Sequence, residues 1–282
     1  MNRYTLFFLV FYAMAFFACE EIPPTVTGAM GGGGPVQPED QERQVLVEEF
    51  TGVRCINCPN GSLIIEDLRA VYGPQLVVVS IHSGQFSDPY PESQYDFRTA
   101  VGDQLLNYLG QPFGYPSAVV NRKKFDGQFD LQLGSNEWAG YIAEELASPP
   151  RVLIDIRPDF DPSTRKAQIE TTLFIVETIS EPDVRISVVF TENNITDHQL
   201  TPSSSPDTDP DYQHKHVLRD MATPFDGILI AEPLTAGARI TRSFDYTLPD
   251  EWVAENVSVV VVVSLAGEIK DVLQAHEVHL IT

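Results

Sequence analysis

Two cysteines, Cys55 and Cys58, stand two residues apart between a short apolar segment at residues 45–50 and the proline Pro59. This spacing allows the side chains to close a disulfide with little movement of the backbone. The pattern predicts a strand, a tight turn and then a helix whose first turn carries both cysteines. Because the N–H groups and the dipole at a helix start stabilise a thiolate, the reactive form of cysteine, these residues predict thiol–disulfide chemistry. They do not indicate a substrate.

The segments that must position this pair alternate between strand and helix patterns. Residues 75–82 form a continuous apolar run, which is typical of a strand buried on both faces. Pro59 suits the first turn of a helix, where its missing N–H costs nothing. The predicted order is strand 45–50, helix 59–72, strand 75–82, helix 92–109, strand 117–122 and helix 137–146. Such alternation predicts right-handed crossovers and a mixed sheet.

This order, the Cys-x-x-Cys motif and Tyr115-Pro116 just before a strand resemble the thioredoxin fold. The resemblance implies that a cis-proline loop at Pro116 faces the cysteine pair. It also implies a buried acid at Glu49, where burial would raise the pKa of the carboxyl and suit it to accept a proton from Cys58. In such an enzyme Cys55 would attack a substrate sulfur, Cys58 would resolve the mixed disulfide and Pro116 would shape the substrate groove.

The motif also departs from the thioredoxin pattern. Arg54 stands where an aromatic residue normally precedes the first cysteine, and Ile56-Asn57 replaces Gly-Pro between the cysteines. These differences put catalysis in doubt more than the fold. Arg54 could lower the pKa of Cys55 through its nearby charge. It could equally be a solvated surface arginine, which is the interpretation we favour.

Histidines offer a metal-binding alternative. His214 and His216 stand two apart, so on a strand they would face the same side. His198, His276 and His279 could add ligands for zinc or copper. No second spaced pair supports them, so we predict no metal site.

An acidic segment resembles the start of a calcium loop. Asp207, Asp209 and Asp211 alternate along it, but the glycine and the final glutamate of such a loop are missing, and prolines interrupt the segment. A solvated acidic loop is the preferred interpretation. The sequence contains no Gly-rich phosphate loop or nucleophile elbow, and no cofactor is predicted.

From residue 151 onward the pattern changes to period-two alternation with turn residues between the runs. The candidate strands are residues 151–157, 166–176, 184–191, 217–219, 228–231, 239–248, 257–265 and 271–280. Seven or eight short strands of this kind predict an immunoglobulin-like sandwich. The valine run 259–263 should be a central strand, because at an edge it would promote aggregation. Sandwich domains are commonly adhesive or spacer modules, so this part favours binding.

The N-terminus indicates export. Residues 4–18 are uncharged and mostly apolar, too short for a bilayer-spanning helix of about 20 residues but suited to a signal-peptide core. The segment ending Ala18-Cys19 resembles the lipobox of bacterial lipoproteins, although Phe16 stands where leucine is usual. The resemblance implies that Cys19 becomes the lipid-modified first residue. A secreted protein cleaved near Ala18, or a retained anchor, is the alternative.

The predicted organisation has four parts. Residues 1–19 form a lipoprotein signal peptide, and residues 20–44 form a Gly- and Pro-rich tether that would span about 25–30 Å as a flexible coil. Residues 45–149 form the α/β thioredoxin-like N-terminal domain. Residues 150–282 form the all-β immunoglobulin-like sandwich.

Charge excludes one class of partner. The chain has 40 acidic and 18 basic side chains, a formal net charge of −22. Such a surface repels phosphate backbones, so nucleic-acid binding is not predicted. If Cys19 carries lipid, Cys55 and Cys58 are the remaining cysteines, and an oxidising compartment favours a disulfide between them.

Two blocks carry a resemblance to one family. The phrase from Glu48 to Pro59, Glu-Glu-Phe-Thr-Gly-x-x-Cys-x-x-Cys-Pro, and the block at residues 212–219 resemble the 28-kDa outer-membrane-protein family of Bacteroidetes lipoproteins. The resemblance implies a thioredoxin-like domain followed by a β-sandwich on a protein anchored to the outer membrane by an N-terminal lipid.

Two functions follow from these observations. The favoured one is a non-catalytic lipoprotein, on the periplasmic face or the cell surface, in which the Cys55–Cys58 disulfide is a staple and the sandwich binds a protein or glycan partner. The alternative is an extracytoplasmic thiol–disulfide oxidoreductase that uses Cys55, Cys58, Glu49 and Pro116. The reduction potential separates them, since a staple should lie below about −300 mV and a catalytic pair between about −270 and −120 mV.

Overall fold

The structure is a computed structural model that describes residues 41–281. The predicted signal peptide, the predicted lipidation site Cys19 and most of the predicted tether lie outside these residues. Within residues 41–281, no helix combines the length and the apolar character needed to cross a membrane.

Strands and helices alternate in the first part of the described chain. The elements are β1 (Val45–Thr51), α1 (Cys58–Tyr72), β2 (Leu76–His82), α2 (Ala100–Leu109), β3 (Ser117–Val120), β4 (Leu133–Gly134) and α3 (Trp138–Leu146). All seven residues of β2 are buried, as its continuous apolar run predicts. The strand β4 was not predicted, because two residues are too few to show a periodicity.

The prediction of a helix over residues 92–109 is wrong in its first half. The helix α2 begins at Ala100, where the Thr99 hydroxyl caps it by accepting a hydrogen bond from a backbone N–H in the first turn (2.9 Å). Before the cap, the carboxylate of Asp197 accepts hydrogen bonds from the backbone N–H groups of Gln94 (3.2 Å) and Tyr95 (2.8 Å). These bonds come from a residue about 100 positions away, so local periodicity could not reveal them.

The second part consists of strands. They are β5 (Val152–Asp161), β6 (Lys166–Ile175), β7 (Val184–Glu192), β8 (Ile195–Thr196), β9 (Gln213–His214), β10 (Val217–Met221), β11 (Ile228–Leu229), β12 (Arg239–Thr247), β13 (Val257–Leu265) and β14 (Val272–His279). Every strand predicted after residue 150 is present, with ends displaced by a few residues. The two-residue strands β8 and β9 were not predicted.

Most strands join one mixed sheet. Its order is β14-β13-β7-β10-β2-β1-β3-β4, and β11 also pairs with β7. The strand β2 pairs in parallel with both β1 and β10, and the register of the second pair places Val217 opposite Ser80. A separate three-stranded sheet has the order β12-β6-β5, and β8 pairs with β9. The fold is therefore mostly β, and strands from both sides of residue 150 share one sheet.

The packing explains why so many residues of this sheet are apolar. The helices α1 and α3 share a core with β1, β2 and β3, whereas α2 packs against the other face of the same strands. In β13 alternate valines belong to two different cores. Val259 and Val261 join the core shared with β5 and β6, and Val260 joins the core under α2. Because β13 lies between β14 and β7, the prediction of a central valine strand is confirmed.

Candidate functional site

The cysteine pair lies where β1 leads into α1. Cys58 is the first residue of α1, with Pro59 in the first turn. Cys55 precedes the helix in a turn closed by two hydrogen bonds. The Cys55 N–H donates to the Gly52 carbonyl (3.0 Å), and the Cys58 N–H donates to the Cys55 carbonyl (3.2 Å). The two residues form a disulfide with Cα atoms 5.3 Å apart. The expectation that both lie in the first helical turn is therefore wrong for Cys55, because this turn delays the helix start.

A segment from the second part of the chain lies against the disulfide. The side-chain amide of Gln199 donates hydrogen bonds to the carbonyls of Cys55 (3.1 Å) and Gly52 (3.3 Å). The Leu200 N–H donates to the Val53 carbonyl (2.8 Å). Only 4 % of Cys55 and 1 % of Cys58 are exposed. Since thiol–disulfide exchange requires direct attack on a sulfur atom, the bond is shielded in this conformation.

Arg54 is half-buried, and its side chain is bound to a neighbouring loop. Its guanidinium donates hydrogen bonds to the carbonyls of Asp88 and Pro89, each at 2.7 Å. The guanidinium carbon also lies 4.3 Å from the centre of the Tyr90 ring, a cation–π distance. These contacts fix the loop at residues 88–90 against the turn that carries Cys55. From the sequence, Arg54 was interpreted as a solvated surface arginine or as a charge beside the Cys55 thiolate. Its role in holding the 88–90 loop was not predicted.

Glu49 is the acid that the thioredoxin resemblance placed in the interior. It lies on β1 opposite Ser80 of β2, is 1 % exposed, and accepts a hydrogen bond from the Ser80 hydroxyl at 2.9 Å. Burial raises the pKa of Glu49 to about 7, and the hydrogen bond from Ser80 opposes part of this rise. The carboxyl can therefore gain or lose a proton near neutral pH.

Pro116 and Glu49 both lie against helix α1, at Gly61. The Tyr115–Pro116 bond is cis. A β-carbon added to Gly61 of α1 would lie 2.7 Å from the Pro116 ring and 3.1 Å from the free Glu49 oxygen. Gly61 thus permits the proline loop, the helix and the acid to meet. The structure thus brings Glu49 and Pro116 together against α1, the helix that begins at Cys58.

Pro116 also lines an open groove. Its volume is about 840 Å³, and its wall includes Asn57 and Asn60 at the start of α1. Phe113 and Phe129 line it and are 87 % and 79 % exposed, with ring centres 5.9 Å apart. Two large exposed aromatic side chains at one groove are a feature of interaction surfaces.

A smaller cavity lies on the Glu49 side. Its volume is about 200 Å³, and its wall includes Glu49, Cys58, His82, His214 and His216. His82 was not among the site residues predicted from the sequence. Its position could have indicated a site residue. His82 is the last residue of β2, which pairs in parallel with β1, and ligand sites lie outside the carboxyl ends of such strands.

Burial lowers the pKa of two histidines in this cavity, His82 and His214. The ring centres of His82 and His214 lie 5.7 Å apart. Burial lowers the pKa of His214 to about 4, opposed by the backbone and charge of Asp197. Burial also holds the pKa of His82 well below its ordinary value, and the neighbouring His214 adds to this effect. Both rings can accept a hydrogen bond at neutral pH.

The other predicted metal-ligand candidates lie elsewhere. His198 Nδ1 contacts the Thr208 hydroxyl at 2.6 Å, and His276 Nδ1 contacts the Gln44 side-chain oxygen at 2.8 Å. His279 is exposed near the end of β14. Among residues 41–281, no group of three or more His, Cys, Asp or Glu side chains is arranged to hold a metal ion.

The acidic segment forms ordinary loop contacts. Asp209 pairs with Gln199 through two backbone hydrogen bonds, 2.8 and 3.0 Å long. Its carboxylate accepts a hydrogen bond from the Asp211 N–H at 3.1 Å, which closes a local turn. The acidic segment thus anchors the loop that carries Gln199.

The chain matches the model of a protein family. The model of the family described as outer membrane protein Omp28 matches residues 103–280. No significant match was found among curated proteins.

Solved structures resemble this fold at low identity. HBP35 of Porphyromonas gingivalis aligns with a TM-score of 0.66 and 16% identity, covering 85% of this chain and 76% of that one. Protein AGR_C_4864 from Agrobacterium tumefaciens aligns with a TM-score of 0.50 and 15% identity, covering 85% and 96%. A domain of the outer membrane lipoprotein Omp28 from P. gingivalis aligns with a TM-score of 0.30 and 18% identity, covering 46% and 88%. At these identities the first two likenesses concern the fold alone.

Proposed function

This chain belongs to the Omp28 family of outer membrane proteins and is located in the outer membrane, and we propose that it is a lipid-anchored member whose disulfide is structural and whose role is to bind a partner. The lipid would be attached to Cys19, and residues 20–44 would be the tether. The partner would be a protein or a glycan.

The proposal includes a more specific description of the fold. Residues 45–149 would be a thioredoxin-like domain, supported by the parallel pair β1–β2 with helices on both faces. Residues 150–282 would be an immunoglobulin-like sandwich, supported by the shared core of β7 and β13 with β5 and β6. The parallel pairing of β10 with β2 would make the two domains parts of one framework.

The burial of the disulfide carries the functional proposal. Gln199 and Leu200 are hydrogen-bonded to the turn that contains Cys55, and Cys55 is almost fully buried. A substrate would have to displace this segment before its sulfur could reach Cys55. In contrast, a bond that only joins the turn to α1 needs no access. The burial of the disulfide therefore favours a structural role for it. The partner would then bind to the outer surface of the protein.

The test is the reduction potential of the disulfide in the full-length protein, measured by equilibration with glutathione buffers. A structural bond should give a potential below about −300 mV. A value between about −270 and −120 mV would overturn the structural role. The variant Gln168→Ala, an exposed change on β6, serves as a control for unspecific effects of substitution on the measurement.

The alternative function is thiol–disulfide exchange, and one observation favours it. Glu49, whose pKa burial raises to about 7, and Cys58 line the same cavity, so the acid is placed to receive the proton of Cys58. The Cys55 thiolate would attack a substrate disulfide and release one substrate thiolate. The Cys58 thiolate would then attack Cys55, form the Cys55–Cys58 bond and release the second, so that two electrons pass to the substrate. Reduction of insulin by the protein with dithiothreitol as electron source, lost in Cys55→Ser, would support this function.

A further inference from the structure

The 200 Å³ cavity beside α1 contains an unusual set of polar atoms. Four buried side-chain atoms of its wall have no hydrogen-bond partner among residues 41–281: Glu49 Oε1, His82 Nδ1, His214 Nε2 and His216 Nδ1. The four residues are 1–6 % exposed. Buried polar atoms without partners are rare in folded proteins, because each has given up hydrogen bonds to water. Four of them around one cavity point to a polar occupant.

The chemistry of these atoms favours an occupant that donates hydrogen bonds. The free oxygen of an ionised Glu49 accepts only. His216 Nε2 lies 3.2 Å from Glu66 Oε1 and donates a hydrogen bond to this carboxylate. His82 and His214 are neutral rings, each with one acceptor nitrogen. The wall therefore presents several acceptors to one small space.

The charges around the cavity exclude an anion. Glu66 is ionised, because its hydrogen bond with His216 and its contact with Lys215 hold its pKa at about 2. Lys215 is the lysine of this wall, and it forms an ion pair with Glu66. An anion would thus face Glu49 and Glu66 without a free cation in the described wall. Leu63 and Ile65 add apolar surface beside the polar atoms.

We propose that this cavity binds a small primary ammonium compound, with the ammonium group among Glu49, His82 and His214 and a short alkyl part against Leu63 and Ile65. An ammonium group has three N–H donors, so it can satisfy the carboxylate and two imidazole nitrogens at once. The cavity volume of about 200 Å³ equals that of about seven water molecules, which matches a ligand of few heavy atoms. This inference goes beyond the proposed function and holds whether or not the disulfide is catalytic.

Calorimetric titration of the full-length protein with n-butylammonium tests the proposal, with 1-butanol and butyrate as uncharged and anionic analogues. Only the ammonium compound should bind. Glu49→Gln should weaken binding about ten- to hundredfold, because a charge-assisted hydrogen bond is lost. His276→Gln changes a histidine outside this cavity and should leave binding unchanged.

A second measurement uses the wild-type protein, so its result does not depend on whether a variant folds. In the wild-type protein, butylammonium should shift the imidazole ¹⁵N resonances of His82 and His214 but not that of His279. Equal responses to 1-butanol, or no response, would overturn the proposal and indicate that the cavity holds water only. Binding of Zn²⁺ without binding of butylammonium would also overturn it, in favour of a metal site.

Discussion

The side-chain amide of Gln199 donates a hydrogen bond to the backbone carbonyl of Cys55 at 3.1 Å, although 144 residues separate the two in the chain. The same nitrogen also lies within hydrogen-bond distance of the Gly52 carbonyl and of the Leu200 carbonyl. One residue of the strand-rich part thus holds two carbonyls of the turn that carries Cys55, those of Gly52 and Cys55. Access to the disulfide depends on whether this contact opens.

Gln199→Ala should accelerate reduction of the Cys55–Cys58 bond. Loss of these hydrogen bonds should destabilise the closed segment by about 1–2 kcal/mol and raise the rate of reduction about five- to thirtyfold. The rate can be followed by alkylating free thiols during exposure to dithiothreitol. Gln168→Ala, on the exposed side of β6, should reduce at the wild-type rate. Equal rates for wild type and Gln199→Ala would show that the segment does not control access.

Glu49 should make the protein less stable as the pH rises. Its pKa is about 7 in the folded protein and near 4.5 in the unfolded chain, so the folded state binds more protons between these values. The free energy of unfolding should therefore fall between about pH 4.5 and 7, by about 3 kcal/mol. Glu49→Gln should remove this fall and be more stable than the wild type at pH 8. Thermal unfolding at a series of pH values measures the difference, with exposed Glu268→Gln as the control.

His214 should have the opposite effect. Its pKa is about 4 in the folded protein against 6.5 in the unfolded chain, so the unfolded chain binds more protons between these values. This contribution to stability is complete above about pH 6.5 and is lost as the pH falls through 4, by about 3 kcal/mol. The native His214 ring lies 4.6 Å from the Phe97 ring centre, so phenylalanine suits this position. His214→Phe should lose less stability on acidification, because phenylalanine does not bind a proton. If His214→Phe and the control His279→Phe show the same acid sensitivity, His214 does not contribute to it.

Gly61 should tolerate no side chain. A β-carbon there would lie 2.7 Å from the Pro116 ring, so Gly61→Ala should destabilise the protein by about 1–3 kcal/mol despite the better helix propensity of alanine. Gly140 of α3 has no atom within 4 Å of an added β-carbon, so Gly140→Ala should stabilise by up to about 1 kcal/mol. Chemical denaturation measures both. Similar effects at the two glycines would contradict the close contact between α1 and the Pro116 loop.

Cys19→Ser should abolish lipid attachment. The expected result is loss of metabolic labelling by a radioactive fatty acid, and release of the protein from the outer-membrane fraction, when the variant is expressed in a bacterium with lipoprotein processing. Cys55→Ser, which leaves the lipobox intact, should still be labelled. Labelling of Cys19→Ser would exclude the proposed anchor.

The sequence by itself determined much of the local structure. Alternation and apolar runs placed every strand longer than two residues and the helices α1 and α3, because a strand or helix buried on one face must carry apolar residues at a fixed period. The valine run of β13 was predicted as a central strand from its composition alone. The spacing of Cys55 and Cys58, together with the signs of export to an oxidising compartment, predicted their disulfide.

The tertiary structure decided how distant segments meet. Local periodicity reports which face of an element is buried but not which segment covers it, so the pairing of β10 with β2 could not be predicted. For the same reason the contact of Gln199 with Cys55 and the meeting of His82 with His214 were not predicted. These contacts depend on packing between residues more than 100 positions apart. They decide whether the predicted thiol chemistry is accessible and where a ligand could bind.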